Sequence, residues 1–305
     1  MKIILIGYGY WGKKIFQTLH KITEEEIIVF DKIVTPEAEV EIHKIEEFDG
    51  FLNTLEKGKG FFFIATPEHT HYALAKKILL CGQNVFVEKP LCLKHHQALE
   101  LVKIAKNNSC CVFVDRIFLY DEVYQLIKST VMLGAIGSIT NVSSIRHSNN
   151  IYKPNLSVIE DLVPHDIYLL KDLMNVYPIK TDVEIIKKEG NQLIEVNLSW
   201  EVKGCIWQNW YSWNTHETER TLQITGTYGS ILWKKGENGD ELLLTKGIEE
   251  KKHVFQKKAS SLELIIKDFF QTNSEENLAI RDTRYESYIH EIAVLESIRV
   301  QSSTL

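Results

Sequence analysis

The feature that most constrains the fold is a glycine pattern close to the N-terminus. Gly7, Gly9 and Gly12 follow a short apolar run with the spacing G-x-G-x-x-G, and the segment after them has helical spacing of apolar residues. A second apolar run ends at Asp31, 19 positions after Gly12. A strand, a glycine-rich turn, a helix and an acidic residue in this order predict a dinucleotide-binding unit.

Each residue of this loop has an expected role. Gly7 permits the tight turn, Gly9 lets the backbone approach a pyrophosphate, and Gly12 lets helix and strand pack closely. The N–H groups of Tyr10 and Trp11 lie at a helix N-terminus, where they are suited to hold phosphates.

Asp31 is the expected contact for the adenosine ribose. A carboxylate at this position accepts hydrogen bonds from ribose hydroxyls and repels a 2′-phosphate, so the sequence favours NAD(H) over NADP(H) as cofactor. The neighbouring Lys32 leaves this choice open.

Strands and helices alternate through the first third of the chain. The pattern predicts further strands over residues 60–65, 84–87 and 110–114, and further helices over residues 67–81 and 93–106. Near-continuous apolar strands between helices are typical of a parallel sheet covered on both faces. We therefore expect an α/β fold with a doubly wound Rossmann sheet over residues 1–118.

The rest of the chain is predominantly of β type. Strands are predicted over residues 139–146, 182–187, 193–200, 205–213, 221–225 and 230–233, with helices over residues 120–129, 260–270 and 284–300. This order predicts an α+β domain with a large, mostly antiparallel open sheet. Residues 119–305 are assigned to this domain, for substrate binding and oligomerisation.

Composition narrows the class of protein. The 305 residues carry a net charge of −6, which gives no reason to expect a nucleic-acid partner, and no apolar run is long enough for a membrane span. The five cysteines form no C-x-x-C pair, no Cys/His cluster has metal-site spacing, and the start lacks a signal peptide. We expect a cytoplasmic protein without a metal.

Three further segments resemble the glucose–fructose oxidoreductase/inositol dehydrogenase (Gfo/Idh/MocA) family. They are Ile-Ala-Thr-Pro over residues 64–67 followed by His71, Val-Glu-Lys-Pro over residues 87–90, and Asp-Leu-Val-Pro-His-Asp over residues 161–166. The resemblance implies NAD-dependent oxidoreduction. It also implies that one set of residues contacts the cofactor, namely Ala65, Thr66, Pro67, His71, Glu88 and Lys89.

Within that family the chain resembles a branch that acts on nucleotide-linked sugars, such as the 3-dehydrogenases of UDP-N-acetylglucosaminuronate. The resemblance lies in residues 9–12, 118–120, 161–167 and 222–229. It implies a sugar or nucleotide-sugar substrate in polysaccharide or glycan biosynthesis. Ser157 and Glu160 depart from the branch pattern, which has Asn and Trp there, so the sugar substituents stay open.

Hydride transfer from a secondary alcohol needs a group that accepts the hydroxyl proton and a positive group near the developing oxyanion. The resemblance assigns Lys89 and His165 to this chemistry. His165 titrates near neutrality and is expected at the start of a helix, while Asp161 lies one helical turn before it and is suited to hold the imidazole or bind a hydroxyl.

Two residues complete the expected substrate site, together with Asp161 and His165. Tyr120 lies in a segment that carries the resemblance. Arg146 is suited to meet a substrate phosphate or carboxylate, although a surface salt bridge is an equally good interpretation.

Two other functions remain open at this point. Some members of the family hydrolyse glycosides through transient oxidation, and others bind the cofactor as regulators without turnover.

Five of the six tryptophans lie in residues 200–233, where sheet core is the simplest interpretation. Because too few helices are predicted to cover both faces of this sheet, we expect a homodimer or homotetramer formed through it.

Overall fold

The computed structural model describes residues 2–33, 40–149, 156–236, 239–256, 260–272 and 278–304. The chain forms two compact units. The first contains Met1–Ile117 and Leu262–Ala293, and the second contains Phe118–Ser261 and Val294–Leu305.

Fourteen strands occur in the described part of the chain. They are β1 (Lys2–Ile6), β2 (Ile27–Asp31), β3 (Ile42–Lys44), β4 (Gly60–Ile64), β5 (Asn84–Val87), β6 (Val112–Val114), β7 (Ile139–Asn149), β8 (Thr181–Glu189), β9 (Gln192–Val202), β10 (Cys205–Thr215), β11 (Glu219–Gly226), β12 (Gly229–Lys235), β13 (Asp240–Lys246) and β14 (Glu249–Phe255).

Eight α-helices accompany these strands in the described ranges. They are α1 (Tyr10–Ile22), α2 (Phe48–Leu52), α3 (Glu68–Leu80), α4 (His95–Asn107), α5 (Glu122–Met132), α6 (Val158–Met174), α7 (Ser261–Gln271) and α8 (Leu278–Ser303).

The first unit is built on a six-stranded parallel sheet. Its strand order is β3-β2-β1-β4-β5-β6, and every described pair is parallel. The apolar side chains of β1 and β4 are buried because helices cover both faces of a doubly wound sheet. The predicted Rossmann sheet is confirmed, with the short strand β3 and the short helix α2 in the irregular crossover.

The C-terminal helices correct the expected assignment of residues 119–305 to one domain. Residues 262–293 belong to the first unit. Phe269 of α7 packs on rings of the parallel sheet, with centroids 5.4 Å from Phe61 and Phe63 and 5.6 Å from Phe113. A helical segment distant in sequence thus supplies the apolar cover that this sheet needs.

Helix α8 also protects the edge of the parallel sheet. The hydroxyl of Tyr285 accepts the N–H of Val112 at 3.3 Å, and the hydroxyl of Tyr288 accepts that of Val114 at the same distance. An exposed edge strand would offer these N–H groups to another chain, and the two tyrosines occupy them instead.

The second unit contains an eight-stranded sheet with the order β14-β13-β12-β11-β7-β10-β9-β8. Within this sheet, β7 and β10 are the only described neighbours that pair in parallel, and the other pairs are antiparallel. Helix α6 packs on β9 and β10. The mostly antiparallel open sheet is confirmed, and it extends two strands beyond the predicted ones.

The tryptophans of this sheet point inward. Trp200, Trp207, Trp213 and Trp233 are buried, which confirms the interpretation as sheet core, while Trp210 is exposed. The outward face carries mainly polar side chains, among them Ser199. Alternation along the strands turns most of these rings to the core, and the homodimer or homotetramer expected through this sheet stays a prediction.

No helix in the described ranges combines the length and apolar character of a membrane span. The described residues also contain no group of three or more His, Cys, Asp or Glu side chains arranged to hold a metal ion.

Candidate functional site

The glycine loop between β1 and α1 has the geometry of a phosphate cradle. Gly7 has a φ of +95°, and a Cβ there would lie 2.6 Å from the Ala65 carbonyl oxygen. A Cβ on Gly12 would lie 2.0 Å from the Gly7 carbonyl oxygen, so both positions require glycine. At Gly9 no atom lies within 4 Å of the Cβ position, which leaves open space at the N-terminus of α1. The loop fits a pyrophosphate.

The first turn of α1 is suited to an anion. It contains no acidic residue, and its N-cap, Gly9, makes no side-chain hydrogen bond to the helix. The Lys14 ammonium lies 4.2 Å from the ring centroid of Tyr10 and 4.8 Å from that of Trp11. Lys14 is therefore a cation near this end of the helix that was not predicted from the sequence.

Asp31 ends β2, and both of its carboxylate oxygens are engaged by the backbone. The Tyr8 N–H donates to Oδ2 at 2.5 Å and the Ile33 N–H donates to Oδ1 at 2.9 Å. These bonds fix the carboxylate beside the glycine loop. Each oxygen has a second lone pair, so the ribose contact expected from the sequence is compatible with this geometry.

His71 connects the two loops that follow β4 and β5. Its Nδ1 lies 2.8 Å from the Pro90 carbonyl oxygen and its Nε2 lies 2.8 Å from the Thr66 carbonyl oxygen, and the ring is buried. Burial lowers the pKa of His71, while the two carbonyl contacts raise it. The ring thus holds together the segments of Ala65-Thr-Pro67 and Glu88-Lys-Pro90.

Glu88 and Lys89 follow β5 at the carboxyl edge of the sheet. The Glu88 N–H donates to the Ile64 carbonyl at 3.0 Å, which ties the segment to the end of β4. Beside it, Asp115 follows β6, and its N–H donates to the Val87 carbonyl at 2.9 Å. Burial raises the pKa of Asp115 to about 6, although a hydrogen bond with Glu88 and the charge of Lys89 both lower it. Sequence analysis missed Asp115.

In the second unit, α6 carries two candidate residues. Its N-terminus is a capping box, in which the Ile159 N–H donates to Ser157 Oγ at 3.2 Å and the Ser157 N–H donates to Glu160 Oε2 at 3.1 Å. The two departures from the branch pattern, Ser157 and Glu160, are therefore partners in one helix cap.

The structure corrects the position of His165. The residue lies in the middle of α6, after Pro164, and not at a helix start. Its Nδ1 lies 2.9 Å from the Tyr168 hydroxyl, and its ring meets Phe118 edge-on with centroids 4.9 Å apart. Asp161, one turn earlier, accepts a hydrogen bond from Trp213 Nε1 at 3.2 Å.

The structure also changes the interpretation of Arg146. Its Nε and Nη2 donate to the two carboxylate oxygens of Asp166 at 2.7 and 2.9 Å, and both residues are buried. The pair is therefore no surface salt bridge. Ser144 and Tyr211 also donate to Asp166, so this carboxylate is satisfied by four hydrogen bonds. The Arg146 guanidinium stacks 4.7 Å from the ring centroid of Phe118, which also contacts His165.

Burial lowers the pKa of Arg146, but the nearby charge of Asp166 outweighs it and the pKa is raised. Arg146 is thus a fixed cation, and its Nε and Nη2 groups are already bonded to Asp166.

Tyr120, the other expected substrate residue, is half-buried and ends a 3-10 turn, Ile117–Tyr120, just before α5.

The expected site residues therefore form two groups, one in each unit. The carboxyl edge of the parallel sheet brings together the glycine loop, Asp31, the segments joined by His71, and Lys89. In the second unit, Phe118 links Arg146 and His165, and Asp161 lies on the same helix as His165.

Comparison with known proteins agrees with this architecture. Residues 1–116 match the sequence model of an oxidoreductase family with an NAD-binding Rossmann fold, GFO_IDH_MocA. Oxidoreductase P35 from Formosa agariphila is 30% identical over 190 residues, which are 55% of this chain and 57% of that protein. The matched region thus spans less than two thirds of this curated relative.

Two solved structures share the fold across both units. UDP-N-acetylglucosamine 3-dehydrogenase GnnA from Acidithiobacillus ferrooxidans has a TM-score of 0.79 at 20% identity, with 98% of this chain and 97% of that chain covered. KijD10, a 3-ketoreductase from Actinomadura kijaniata in complex with NADP and TDP-benzene, has a TM-score of 0.82 at 13% identity, with the same coverage. Residues 1–116 thus match the N-terminal NAD-binding Rossmann domain of the Gfo/Idh/MocA oxidoreductase family.

Proposed function

We propose that this chain is an NAD(H)-dependent oxidoreductase that transfers a hydride to or from a secondary alcohol or ketone of a sugar, with nucleotide-linked sugars as its substrate class. The observation that carries the proposal is the carboxyl edge of the parallel sheet. There a glycine cradle, a fixed carboxylate and a lysine follow β1, β2 and β5. In open α/β sheets this edge is where ligands bind.

The cofactor is held by residues of the first unit. The backbone around Gly9, Tyr10 and Trp11 binds the pyrophosphate, and Asp31 binds the adenosine ribose. The segments around Thr66 and Glu88, fixed by His71, bind the nicotinamide half. Bound NAD supplies the hydride acceptor and NADH the hydride donor.

Lys89 and His165 perform the proton and charge chemistry. The Lys89 ammonium stabilises the negative charge that develops on the substrate oxygen. His165 takes the hydroxyl proton during oxidation and returns it during reduction, with its ring oriented by the Tyr168 hydroxyl at Nδ1. Asp161 binds a substrate hydroxyl or orients His165, and Tyr120 contributes to the same substrate site.

Arg146 acts in this proposal as a positioning residue. Its bond to Asp166 fixes the guanidinium against Phe118, and the Phe118 ring also contacts His165.

The substrate class draws on the sequence resemblance and on the printed activities of GnnA and KijD10. A role in polysaccharide or glycan biosynthesis in the cytoplasm follows from that class. All five cysteines are free, as a reducing compartment requires.

The proposal is tested with a panel of UDP- and TDP-linked sugars, by following NADH absorbance. We expect at least one of these sugars to produce NADH when it is oxidised, or its keto form to consume NADH when it is reduced. Lys89→Ala and His165→Ala should each lower kcat by about 10²–10⁴-fold with NAD affinity little changed, and Asp161→Asn should cost less.

The outcomes separate the competing functions. Sugar release without net NADH would indicate glycoside hydrolysis through transient oxidation. Cofactor binding with no turnover of any sugar would indicate a regulator. Near-normal kcat in His165→Ala would move the proton transfer to another group, with Lys89 or Tyr120 next.

A further inference from the structure

We propose that Glu88 and Asp115 share a single proton and that this pair exchanges its proton with solvent when the bound cofactor changes between NAD⁺ and NADH. The inference rests on the proposed function, because it takes the carboxyl edge of the parallel sheet to be where the nicotinamide half binds. It makes Asp115 a positioning residue of the cofactor site.

Strand register brings the two carboxyl groups together. Val87 and Val114 are paired in the parallel β5–β6 ladder, and the next residues along each strand are Glu88 and Asp115. The Asp115 N–H donates to the Val87 carbonyl at 2.9 Å, which continues the ladder by one bond. Both side chains are buried, with 6% of Glu88 and 3% of Asp115 exposed. The two acids therefore leave the sheet side by side and away from water.

The contact between the Glu88 and Asp115 carboxyl groups requires a proton. The side chains of Glu88 and Asp115 are hydrogen-bonded to each other. Two ionised carboxylates are acceptors only, so a bond between them exists only when one of them is protonated. Burial acts in the same direction, because it raises the pKa of Asp115 to about 6, and Asp115 Oδ1 has no hydrogen-bond partner that would stabilise an ionised form.

Charged groups on neighbouring elements affect the pH at which this proton is lost. Lys89 lowers the pKa of Asp115, and the Ile117 backbone N–H does so too. Arg116 follows Asp115 and pairs with Glu291 of α8 at 2.7 Å, and burial raises the pKa of Glu291 to about 7. His71 of α3 faces the same loop through the Pro90 carbonyl. The pair thus titrates within reach of neutral pH, and it does so as a pair rather than as either residue alone.

The charge of the nicotinamide ring determines the direction of exchange. The ring is positive in NAD⁺ and neutral in NADH, and a positive charge disfavours a bound proton. We therefore expect the pair to hold more of its proton in the NADH complex. By linkage, lowering the pH should strengthen NADH binding relative to NAD⁺ binding.

Calorimetry of cofactor binding tests this directly and needs no substrate. NAD⁺ and NADH are each titrated near pH 6 in two buffers of different ionisation enthalpy, which gives the number of protons taken up. We expect the NADH complex to take up about half a proton more than the NAD⁺ complex, and the affinity ratio to change by about threefold per pH unit. Asp115→Asn should remove both effects.

Glu291→Gln is the matched control, because it also removes a buried carboxyl with a raised pKa from the first unit and should leave the proton difference in place. If Asp115→Asn fails to fold, a measurement on the wild-type protein still tests the inference. Its infrared difference spectrum between the NADH and NAD⁺ complexes should contain a protonated-carboxyl C=O band.

An equal proton uptake for both cofactors, or loss of the difference in Glu291→Gln but not in Asp115→Asn, would overturn the inference while leaving the proposed function intact. Failure of both cofactors to bind would instead contradict the proposed function itself.

Discussion

Asp31 is the residue on which we expect cofactor choice to depend. Its two oxygens accept the N–H groups of Tyr8 and Ile33, so the carboxylate stays at the end of β2. We expect NAD(H) to bind at least about tenfold more tightly than NADP(H), which corresponds to roughly 1.4 kcal/mol. Titration of both cofactors by fluorescence quenching measures this ratio.

The variant Asp31→Asn keeps an oxygen acceptor but removes the negative charge, so it should lower the preference for NAD(H) by about tenfold. Lys32→Ala is its control and should change the ratio little. Equal affinities in the wild-type protein would show that Asp31 does not govern the pocket.

Asp115 should also affect the pH dependence of folding. Its folded pKa of about 6 lies above the usual 3.8, so its contribution to stability is complete below the lower value and is lost as the pH rises through about 6. Relative to Asp115→Asn, the wild-type protein should lose about 1–3 kcal/mol between pH 4 and pH 7.

Urea unfolding of both proteins across this pH range, followed by circular dichroism, measures the difference. A constant difference between the two proteins would show that Asp115 titrates as an ordinary exposed aspartate.

Some residue roles were predictable from the sequence and others were not. Gly7, Gly9 and Gly12 lie in one short segment, where spacing alone indicates geometry. Arg146 and Asp166 are 20 positions apart, and Glu88 and Asp115 are 27 apart. The first pair joins β7 to α6, and the second forms through the register of β5 and β6. A single sequence specifies neither.

Helix α6 carries Asp161 and His165, two residues of the proposed substrate site. Ser157 and Glu160 cap its first turn, and Ser157 lies four positions before Asp161 and eight before His165. Ser157→Ala should lower the free energy of unfolding by about 1 kcal/mol, because it leaves a helix N–H without its acceptor.

The tryptophan fluorescence of the second unit reports this loss in a urea titration, since five of the six tryptophans lie in that unit. Ser157→Asn supplies another side-chain oxygen at the N-cap and should restore most of the stability. An alanine variant as stable as the wild type would show that the cap contributes nothing.

Elements with a clear apolar period were predicted, and those without one were missed. The strands β1, β4 and β5 are continuous apolar runs. Strand β14 begins Glu-Glu-Lys-Lys-His and is largely exposed, so it is held by backbone pairing with β13 and has no apolar pattern. Helix α6 contains Pro164, which is atypical of a helix interior and obscured its length.

At the scale of the whole molecule, the outward face of the eight-stranded sheet is the surface through which we expect assembly. It is mainly polar, yet Trp210 is exposed on it, and its ring nitrogen donates to Glu195 at 2.8 Å. We expect this face to form a homodimer or homotetramer.

Sedimentation at micromolar concentration measures the state of assembly. Trp210→Glu, which places a negative charge among Glu195 and its neighbours, should shift the protein towards monomer. Lys252→Glu on β14 is a control for an added negative charge on an outer strand of the same sheet. A stable wild-type monomer would contradict the prediction.

The whole account depends on one event, the transfer of a hydride between a sugar carbon and the nicotinamide. It is tested most directly with a nucleotide sugar deuterated at the carbon that is oxidised, by mass spectrometry of the cofactor after a single turnover. The account predicts deuterium in the NADH formed by the wild-type protein, and about 1% or less of that rate in His165→Ala and Lys89→Ala. A keto sugar that forms while the nicotinamide stays unlabelled would contradict it.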